Sequence, residues 1–270
     1  MRKLGRNKTP GAIDAIVREI DNREDIRILP LSDLHLGDKN CNIDHVRAMV
    51  SKIKDSNTFT FLLGDLMNTA IAGSKSDFYS EKLTPQEQID ECVRLFEPVK
   101  DKILAIIPGN HEERISRAIG MDTVRLFAQR LGLEDVYRPD SALVILRVGS
   151  DKRYGQKHHR PVFYSFYLNH GHGGGRRPGG KLNGLADFAS VIDADVIIQG
   201  HTHTPIVFRQ AHYRISPQNS NASPHEQVLL NLPSSLDYGG YGMRNGYQPA
   251  SQKYPEIVLG FDTHRIDVVM

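Results

Sequence analysis

The chain has 270 residues, of which 39% are hydrophobic and 24% are charged, and its formal net charge is +2. These values are typical of a globular protein with a sizeable core, and they exclude a disordered, collagen-like or disulfide-rich chain. The charge is too evenly balanced to predict nucleic-acid binding by itself.

Cys41 and Cys92 are the two cysteines, and their spacing matches no metal-binding motif, which favours a reducing cytoplasm. The basic start of the chain leads into residues 12–22, whose charges fall at helical intervals, so no signal peptide is predicted. No stretch reaches the roughly 18 apolar residues that span a bilayer. We therefore expect a cytoplasmic protein with no membrane partner, and its oligomeric state stays open.

Apolar runs alternate with amphipathic stretches in the first half of the chain, and apolar runs dominate the last third. The predicted strands cover residues 26–33, 58–65, 102–110, 141–149, 161–171, 195–200, 205–215, 226–233, 256–261 and 264–270. The predicted helices cover residues 43–54, 84–99, about 121–131 and 182–192. This order predicts an α/β fold in which helices flank a sandwich of sheets.

Two local features refine these elements. Thr84, Pro85 and Glu87 form the pattern of a capping box with proline in the first turn, which predicts a helix start. Pro30 lies inside the first predicted strand but has no N–H to donate, so we expect a bulge or an unpaired position there.

The chain shows no internal repeat and no linker, so one domain over residues 1–270 is predicted. Loop excursions are expected near residues 171–181, 216–225 and 234–255, which are rich in glycine or in turn formers.

Polar residues follow five of the apolar strands, usually beside glycine. They are Asp33 and His35, Asp65 and Asn68, Asn110 and His111, His170 and His172, and His201 and His203. Ligands in open α/β sheets bind at the carboxyl ends of strands, so these side chains are predicted to share one site. Carboxylate, imidazole and amide oxygen suit a borderline or hard divalent metal, and the set is large enough for two ions roughly 3.5–4 Å apart.

Each motif alone is typical of a turn or a helix cap, and only the five together favour a metal site. His201 and His203 lie two residues apart, so along an extended segment their side chains point the same way. The remaining histidines, among them His212, His225 and His264, lack the strand-end context and are predicted to be surface or packing residues.

The ordered set Asp-x-His, Gly-Asp, Gly-Asn-His, His-Gly and Gly-His-Thr-His, from Asp33 to His203, resembles the calcineurin-like metallophosphoesterase superfamily. The chain looks most like phage and bacterial phosphoesterases or DNA repair exonucleases of that superfamily. The resemblance implies a four-layer α-β-β-α sandwich, in which two facing mixed β-sheets are flanked by helices. It also implies a phosphoester hydrolase with two divalent metal ions, for which Mn²⁺ is our first expectation and Fe or Zn²⁺ the alternatives.

The resemblance also implies a role for each motif residue. Asp33, His35 and His203 would bind the first ion, and Asn110, His170 and His201 the second. Asp65 would bridge both ions, and His111 would lie beside the leaving group and act as the general acid.

Two differences from the superfamily's motifs argue against particular branches of it. The protein-phosphatase branch carries an arginine shortly after Gly-Asp, but residues 64–70 read GDLMNTA, so phosphoprotein activity is not expected. Hydrolases of lipid precursors usually have arginine where His111 stands, which argues against that substrate.

The expected substrate is DNA or RNA. The basic, glycine-rich loop 171–181 could contact a phosphate backbone, and the tyrosine-containing loop 234–255 could stack on bases. The candidate contacts are Arg114, His172, Arg176, Arg177, Tyr241 and Arg244. Other interpretations stay open. The loop 171–181 could simply be solvated, and the loop 234–255 could cover a hairpin or form an oligomer contact. His172 could simply be exposed, and Arg114 could pair with Glu113 or Asp122. Small or cyclic nucleotides are the alternative substrates, and a non-catalytic, metal-bound interaction protein is the alternative function.

Overall fold

The computed structural model describes residues 12–74, 76, 78–149, 160–173, 175 and 177–270, apart from the side chain of Tyr241. The described strands are β1 (Ile16–Ile20), β2 (Ile26–Ile28), β3 (Thr58–Leu63), β4 (Ile103–Ile107), β5 (Ser141–Val148), β6 (Val162–Asn169), β7 (Val196–Gln199), β8 (Ile206–Ser216), β9 (Asn221–Asn231), β10 (Glu256–Leu259) and β11 (Ile266–Val269). The described α-helices are α1 (Ile43–Ile53), α2 (Pro85–Phe96), α3 (Glu113–Ile119), α4 (Thr123–Leu131), α5 (Pro178–Val191) and α6 (Gly240–Arg244).

One sheet has five strands in the order β11-β10-β2-β3-β4, in which β2, β3 and β4 run parallel. Helices α1, α2 and α4 cover its outer side. α1 buries Val46, Met49, Val50 and Ile53, whose spacing places them on one helical face. The capping box of α2 is confirmed: Thr84 accepts from the Glu87 N–H, and Glu87 accepts from the Thr84 N–H.

The other sheet has six strands in the order β1-β5-β6-β7-β9-β8, with β6, β7 and β9 parallel. Helix α5 packs on its outer face, where Leu185 meets Tyr167, Ile197 and Leu229. The inner faces of the two sheets share one apolar core, in which the rings of Phe61 and Phe166 lie 5.1 Å apart. The predicted α/β sandwich of two mixed sheets with flanking helices is therefore confirmed.

Pro30 interrupts the first predicted strand as expected. Leu29 and Leu31 donate to Phe59 and Phe61 of β3, both at 2.9 Å, so the missing N–H of Pro30 faces away from β3. The other neighbour, β10, ends its pairing at Ile28, and thus no ladder bond is lost.

Several boundaries differ from the prediction. Residues 12–22 carry helically spaced charges but contain strand β1, because Ile16 and Ile20 are buried where β1 pairs with β5. Residues 216–225 are not a loop: β8 and β9 continue through them as a hairpin with a tight turn at 217–220. Helix α5 begins at Pro178 inside the predicted loop 171–181, and α6 lies inside 234–255.

Helix α3 was not predicted, since its seven residues are too few to show a periodic apolar pattern. No helix in the described part of the chain is long and apolar enough to cross a membrane. The single domain over residues 1–270 stays a prediction, because residues 1–11 and 150–159 lie outside the described part.

Candidate functional site

The five strand-end motifs meet at one edge of the sandwich. Asp33 and His35 follow β2, Asp65 follows β3, and the Gly109–Glu112 segment follows β4 of the five-stranded sheet. His170 follows β6, and His201 and His203 follow β7 of the six-stranded sheet. Both sheets thus contribute side chains to the same site.

The first group of donor atoms comes from Asp33, His35 and His203. The Nε2 atoms of His35 and His203 lie 3.1 Å apart, and the Oδ1 atom of Asp33 lies 3.0 Å from His203 Nε2 and 3.8 Å from His35 Nε2. Two imidazole nitrogens and a carboxylate oxygen that face one point are suitable ligands for a divalent transition metal.

The second group comes from Asp65, His170 and His201, with Asn110 among them. His170 Nε2 lies 3.2 Å from Asp65 Oδ2 and 3.2 Å from Asn110 Oδ1, and His201 Nδ1 lies 2.6 Å from the same Asn110 oxygen. His201 and His203 therefore point into different groups, although Thr202 alone separates them.

Asp65 connects the two groups. It lies with His170 and His201 in one set of converging donor atoms and with His35 and His111 in another. A carboxylate between two cation sites can donate one oxygen to each or share one, and its charge offsets part of the repulsion between two cations.

The backbone at this edge is bent in an unusual way. Asp33, His35, Asp65, His201 and His203 all have φ between +50° and +66°, in the left-handed region that non-glycine residues rarely adopt. Residues held in this region cluster at active sites, where the surrounding structure enforces them. These bends lie where the chain leaves β2, β3 and β7, at the edge where the donor side chains meet.

The charges of the site fit a cation. Asp33 is fully buried, and its Oδ1 atom accepts no hydrogen bond of good geometry. Burial by itself would raise the pKa of Asp33, but the nearby imidazoles, led by His203, hold it at about 2. Burial would likewise lower the pKa of His170, but the Asp65 carboxylate raises it to about 10. At neutral pH Asp33 is thus ionised and His170 is protonated, and a metal ion bound to His170 would replace that proton.

His111 lies beside the same site and is held by Asn68. Its Nδ1 atom lies 2.8 Å from Asn68 Oδ1 and 3.1 Å from the Asn68 carbonyl oxygen, and its Nε2 atom lies 3.7 Å from Asp65 Oδ2. The strand-end pattern pointed to Asn68 but gave it no role. The structure assigns it the orientation of the His111 ring.

Glu112 was missed by the sequence analysis. Its side chain is buried, its Oε2 atom accepts from the N–H groups of Asp65 and Gly109, and its Oε1 atom accepts from that of Met67, all at 2.9 Å. Burial, and then the charge of Asp65, raise its pKa to about 7. The only available signal was its position directly after Gly-Asn-His. Glu112 ties the loop after β3 to the loop after β4.

Lys181 lies in the predicted loop 171–181 but is neither in a loop nor free to contact a substrate. It belongs to α5, and its Nζ donates to the carbonyl oxygen of Thr202 at 2.9 Å and also contacts the Thr204 hydroxyl. Lys181 therefore holds the turn that carries His201 and His203. Arg177 is exposed at the N-cap position of α5, where its side chain makes no capping hydrogen bond, and Arg176 lies outside the described residues.

The other candidate substrate contacts have different surroundings in the structure. Arg114 pairs with neither Glu113 nor Asp122; its Nη1 donates to the Asn68 carbonyl oxygen at 3.2 Å and to Ser76 Oγ at 2.8 Å. His172 is exposed, and Arg244 is exposed at the end of α6. The side chain of Tyr241 lies outside the described part of the chain.

Comparisons with known proteins add a family to this geometry. A search of curated proteins finds no match. Among solved structures, the chain is similar to a predicted phosphoesterase from Streptococcus pneumoniae TIGR4 at 13% identity, covering 91% of this chain and 89% of the other, with a TM-score of 0.39. A Vps29 double mutant from Entamoeba histolytica is 13% identical over 90% of this chain and 98% of its own, with a TM-score of 0.38.

Similarities this weak carry no argument about function. The family model described as calcineurin-like phosphoesterase, however, matches residues 26–205, which include every residue of the two donor groups. The chain belongs to the calcineurin-like phosphoesterase family, and it is a metallophosphoesterase with candidate metal sites built from buried histidine and aspartate side chains.

Proposed function

We propose that this metallophosphoesterase hydrolyses phosphodiester bonds of DNA or RNA with two divalent metal ions. The observation that carries the proposal is the two adjacent donor groups, which are connected because Asp65 belongs to the second group and also converges with His35 of the first. Mn²⁺ is the proposed metal, with Fe or Zn²⁺ as alternatives, since mixed nitrogen and oxygen ligands suit all three. We also propose that the protein acts in the cytoplasm and that it belongs with the DNA repair exonuclease-like branch of the family.

The proposed ligand roles follow the two groups. Asp33, His35 and His203 would hold one ion, Asn110, His170 and His201 the other, and Asp65 both. When bound, two such ions polarise the phosphoryl oxygens and lower the pKa of the attacking water towards neutrality. Asn110 contributes a neutral oxygen, so the centre keeps more positive charge for an anionic substrate.

We propose His111 as the general acid for the departing oxygen. Asn68 fixes one ring nitrogen, and the other nitrogen is directed towards Asp65 at the centre of the site. Burial lowers the pKa of His111 to about 4 in the absence of substrate. The negative charge of a bound phosphoester would raise this pKa, and the positive charge of the metal ions would lower it, so the role requires the phosphoester to lie closer to the ring.

The segment after β9 supports a polymeric substrate. Ser234 Oγ and the Ser235 N–H donate to the carbonyl oxygen of Asp33 at 2.9 and 3.0 Å, so this segment starts at the metal centre. It continues with the exposed side chains of Tyr238 and Arg244. An aromatic ring and a guanidinium on a segment that starts at the phosphoesterase centre have the chemistry for base stacking and phosphate contact.

The test is a substrate panel with Mn²⁺: single- and double-stranded DNA, RNA, cyclic nucleotides and bis(p-nitrophenyl) phosphate. We expect cleavage of nucleic acid that weakens steeply with salt, because phosphate contacts release counterions. Cleavage of the small esters alone would replace the polymer with a small nucleotide as substrate. Absence of turnover on the whole panel, with metal bound, would favour a non-catalytic role. The Asp65→Asn variant controls for contaminating nucleases.

A further inference from the structure

Strand β8 forms one edge of the six-stranded sheet, and among the described strands it pairs with β9 alone. It is eleven residues long, and its pairing with β9 runs from Ile206 opposite Asn231 to Ser216 opposite Asn221 without a register shift. Edge strands of soluble proteins are usually short, or they carry lysine, proline or a bulge that prevents pairing with another chain. β8 has none of these features, so nothing in its own sequence protects its outer edge.

The hydrogen bonds of β9 show which backbone groups of β8 point to this outer edge. The Val228 N–H donates to the Asp195 carbonyl oxygen and the Leu232 N–H to that of Gln199, so the even-numbered residues of β9 face β7. The odd-numbered residues of β9 therefore face β8, where they lie opposite even-numbered residues. The N–H and C=O groups that point to the outer edge consequently belong to Val207, Arg209, Ala211, Tyr213 and Ile215.

Four large apolar side chains of β8 are exposed. Tyr213 and Ile215 are 74% and 75% exposed, and Val207 and Phe208 are exposed as well. Contiguous exposed apolar side chains mark interaction sites, and here they lie along a row of outward-facing backbone groups. Both the side chains and the backbone of β8 thus favour the addition of a further strand.

The charges of β8 do not oppose such an addition. Arg209 and Arg214 each contact a carboxylate of their own chain, Glu226 and Asp193 respectively, so their charges are already compensated. Both arginine side chains nevertheless remain partly exposed. A guanidinium that is paired at one edge still has a planar face that can lie against an aromatic ring.

The sequence of β8 is complementary to itself when two copies run antiparallel with Ala211 opposite Ala211. In this register Arg209 lies opposite Tyr213 of the other copy. Phe208 then lies opposite Arg214, and Val207 lies opposite Ile215. Each arginine meets an aromatic ring, apolar side chains meet each other, and no like charges are directly opposite, which are the pairs that stabilise neighbouring strands.

The same register satisfies the backbone. Each of the five outward-facing residues lies opposite an outward-facing residue of the other copy, so all of their N–H and C=O groups find partners. A shift by two residues in either direction leaves Val207 or Ile215 without a partner, and a shift by one residue brings outward-facing groups opposite inward-facing ones. Side chains and backbone thus favour one register independently.

We propose that β8 pairs with β8 of a second copy of this chain, antiparallel and with Ala211 at the two-fold axis. The two six-stranded sheets then form one continuous sheet. The same surface meets itself, so the contact closes with two copies and gives a dimer. β8 begins just after the turn that carries His203, so the two candidate metal centres lie at opposite ends of the paired strands, roughly 35 Å apart along them.

The test measures the mass of the full chain by analytical ultracentrifugation at increasing protein concentration. We expect a dimer of two 30.3 kDa chains. Ala211→Pro removes an outward-facing N–H that the pairing with β9 does not use, so the dimer should be lost while the hairpin keeps its hydrogen bonds. Ala211→Lys brings two positive charges together at the two-fold axis and should raise the dissociation constant of the dimer by about tenfold or more.

A mixture of variants separates the edge contact from a folding defect. Ala211→Lys and Ala211→Glu should each dimerise weakly alone, and their equimolar mixture should recover the dimer, because lysine then lies opposite glutamate. Ala222→Lys, at an exposed alanine of β9, is the matched control and should dimerise like the wild type.

Three outcomes would overturn the proposal. The first is a wild type that stays monomeric at every concentration, and the second is a dimer that Ala211→Pro and Ala211→Lys leave intact. The third is a mixture no more dimeric than either variant alone, since the two-fold axis would then not pass through residue 211.

Discussion

Individual residues at the site adopt conformations that their side chains disfavour. Asp33, His35, Asp65, His201 and His203 in the left-handed region each cost on the order of 1–3 kcal/mol relative to an unstrained backbone. Such residues persist because neighbours hold them, as Lys181 does for the turn after β7 and Glu112 for the loop after β3. The site is therefore organised by its surroundings before any ion binds.

Asp65 is the residue whose change should affect both metal ions together. Asp65→Asn removes the negative charge that lies between the two donor groups, so binding at both should weaken by about tenfold or more. Isothermal titration with Mn²⁺ measures this, with the exposed Asp44→Asn as a control that keeps wild-type affinity. Two full equivalents of tightly bound metal in Asp65→Asn would contradict the bridging role.

His111 should matter for turnover and not for metal binding. His111→Ala removes the proposed proton donor, and such a donor is worth about 10²–10⁴-fold in rate. Steady-state kinetics on bis(p-nitrophenyl) phosphate and metal analysis of the same sample separate the two effects. Loss of either metal ion in this variant would show that His111 is a ligand.

Glu112 should be structural. In Glu112→Gln one of the two accepting oxygens becomes an NH₂ group, which leaves a buried N–H of Asp65, Met67 or Gly109 without an acceptor. Such a group costs about 1–3 kcal/mol of unfolding free energy. Urea unfolding measures the loss, and Glu113→Gln, at a neighbouring half-buried residue whose only ion pair in the described part of the chain is with Arg117 on the surface, should change it by less than about 0.5 kcal/mol. Equal stability of the two variants would refute this role.

At the scale of elements, the site depends on how closely the turn after β7 approaches the segment after β2. Gly200 allows this approach, because a Cβ atom there would collide with Ser32 Oγ and with Asp33 Oδ2. The His201 N–H also donates to Asp33 Oδ2 at 2.9 Å, which joins the two segments. Glycine at this position is thus a requirement of the junction between the two sheets.

Gly200→Ala should therefore weaken the first donor group. We expect a loss of about 1–3 kcal/mol in unfolding free energy from overpacking, and weaker Mn²⁺ binding as Asp33 is displaced. Gly179→Ala is the matched control, since it lies in α5 with no atom within 4 Å of the added Cβ. Unchanged stability and metal affinity in Gly200→Ala would mean that the turn can move away freely.

At the scale of the whole molecule, the candidate metal centre joins the two sheets. Asp33, His35, Asp65 and Asn110 follow strands of one sheet, and the three remaining histidines follow strands of the other. Ions bound here would add to the apolar contacts that hold the sheets face to face. Metal binding and folding should therefore be linked.

Mn²⁺ should raise the melting temperature of the metal-free protein. At 100 times the dissociation constant, an ion that binds only the folded chain contributes about 2.7 kcal/mol. For a domain of this size that corresponds to a shift of roughly 5–10 °C, measurable by calorimetry. At the same Mn²⁺ concentration, binding that is at least tenfold weaker leaves Asp65→Asn with at most about half of this shift. An equal shift in both proteins would place the stabilising ion elsewhere.

The sequence by itself determined the local features of this protein. Apolar runs predicted most strands, Thr84 and Glu87 predicted the start of α2, and the strand-end motifs named the donor residues. These signals are local, because burial on one face, a capping hydrogen bond and a polar residue after a strand each depend on a few neighbouring residues.

The tertiary structure alone decided which of these residues meet. Sheet order and the packing of the apolar faces place His203 beside Asp33 and His201 beside Asn110, and no spacing along the chain encodes that division. The same packing set the length of the β8–β9 hairpin and gave Glu112 its role. Contacts between residues far apart in sequence depend on the register of whole strands, which the free energy of the complete core determines.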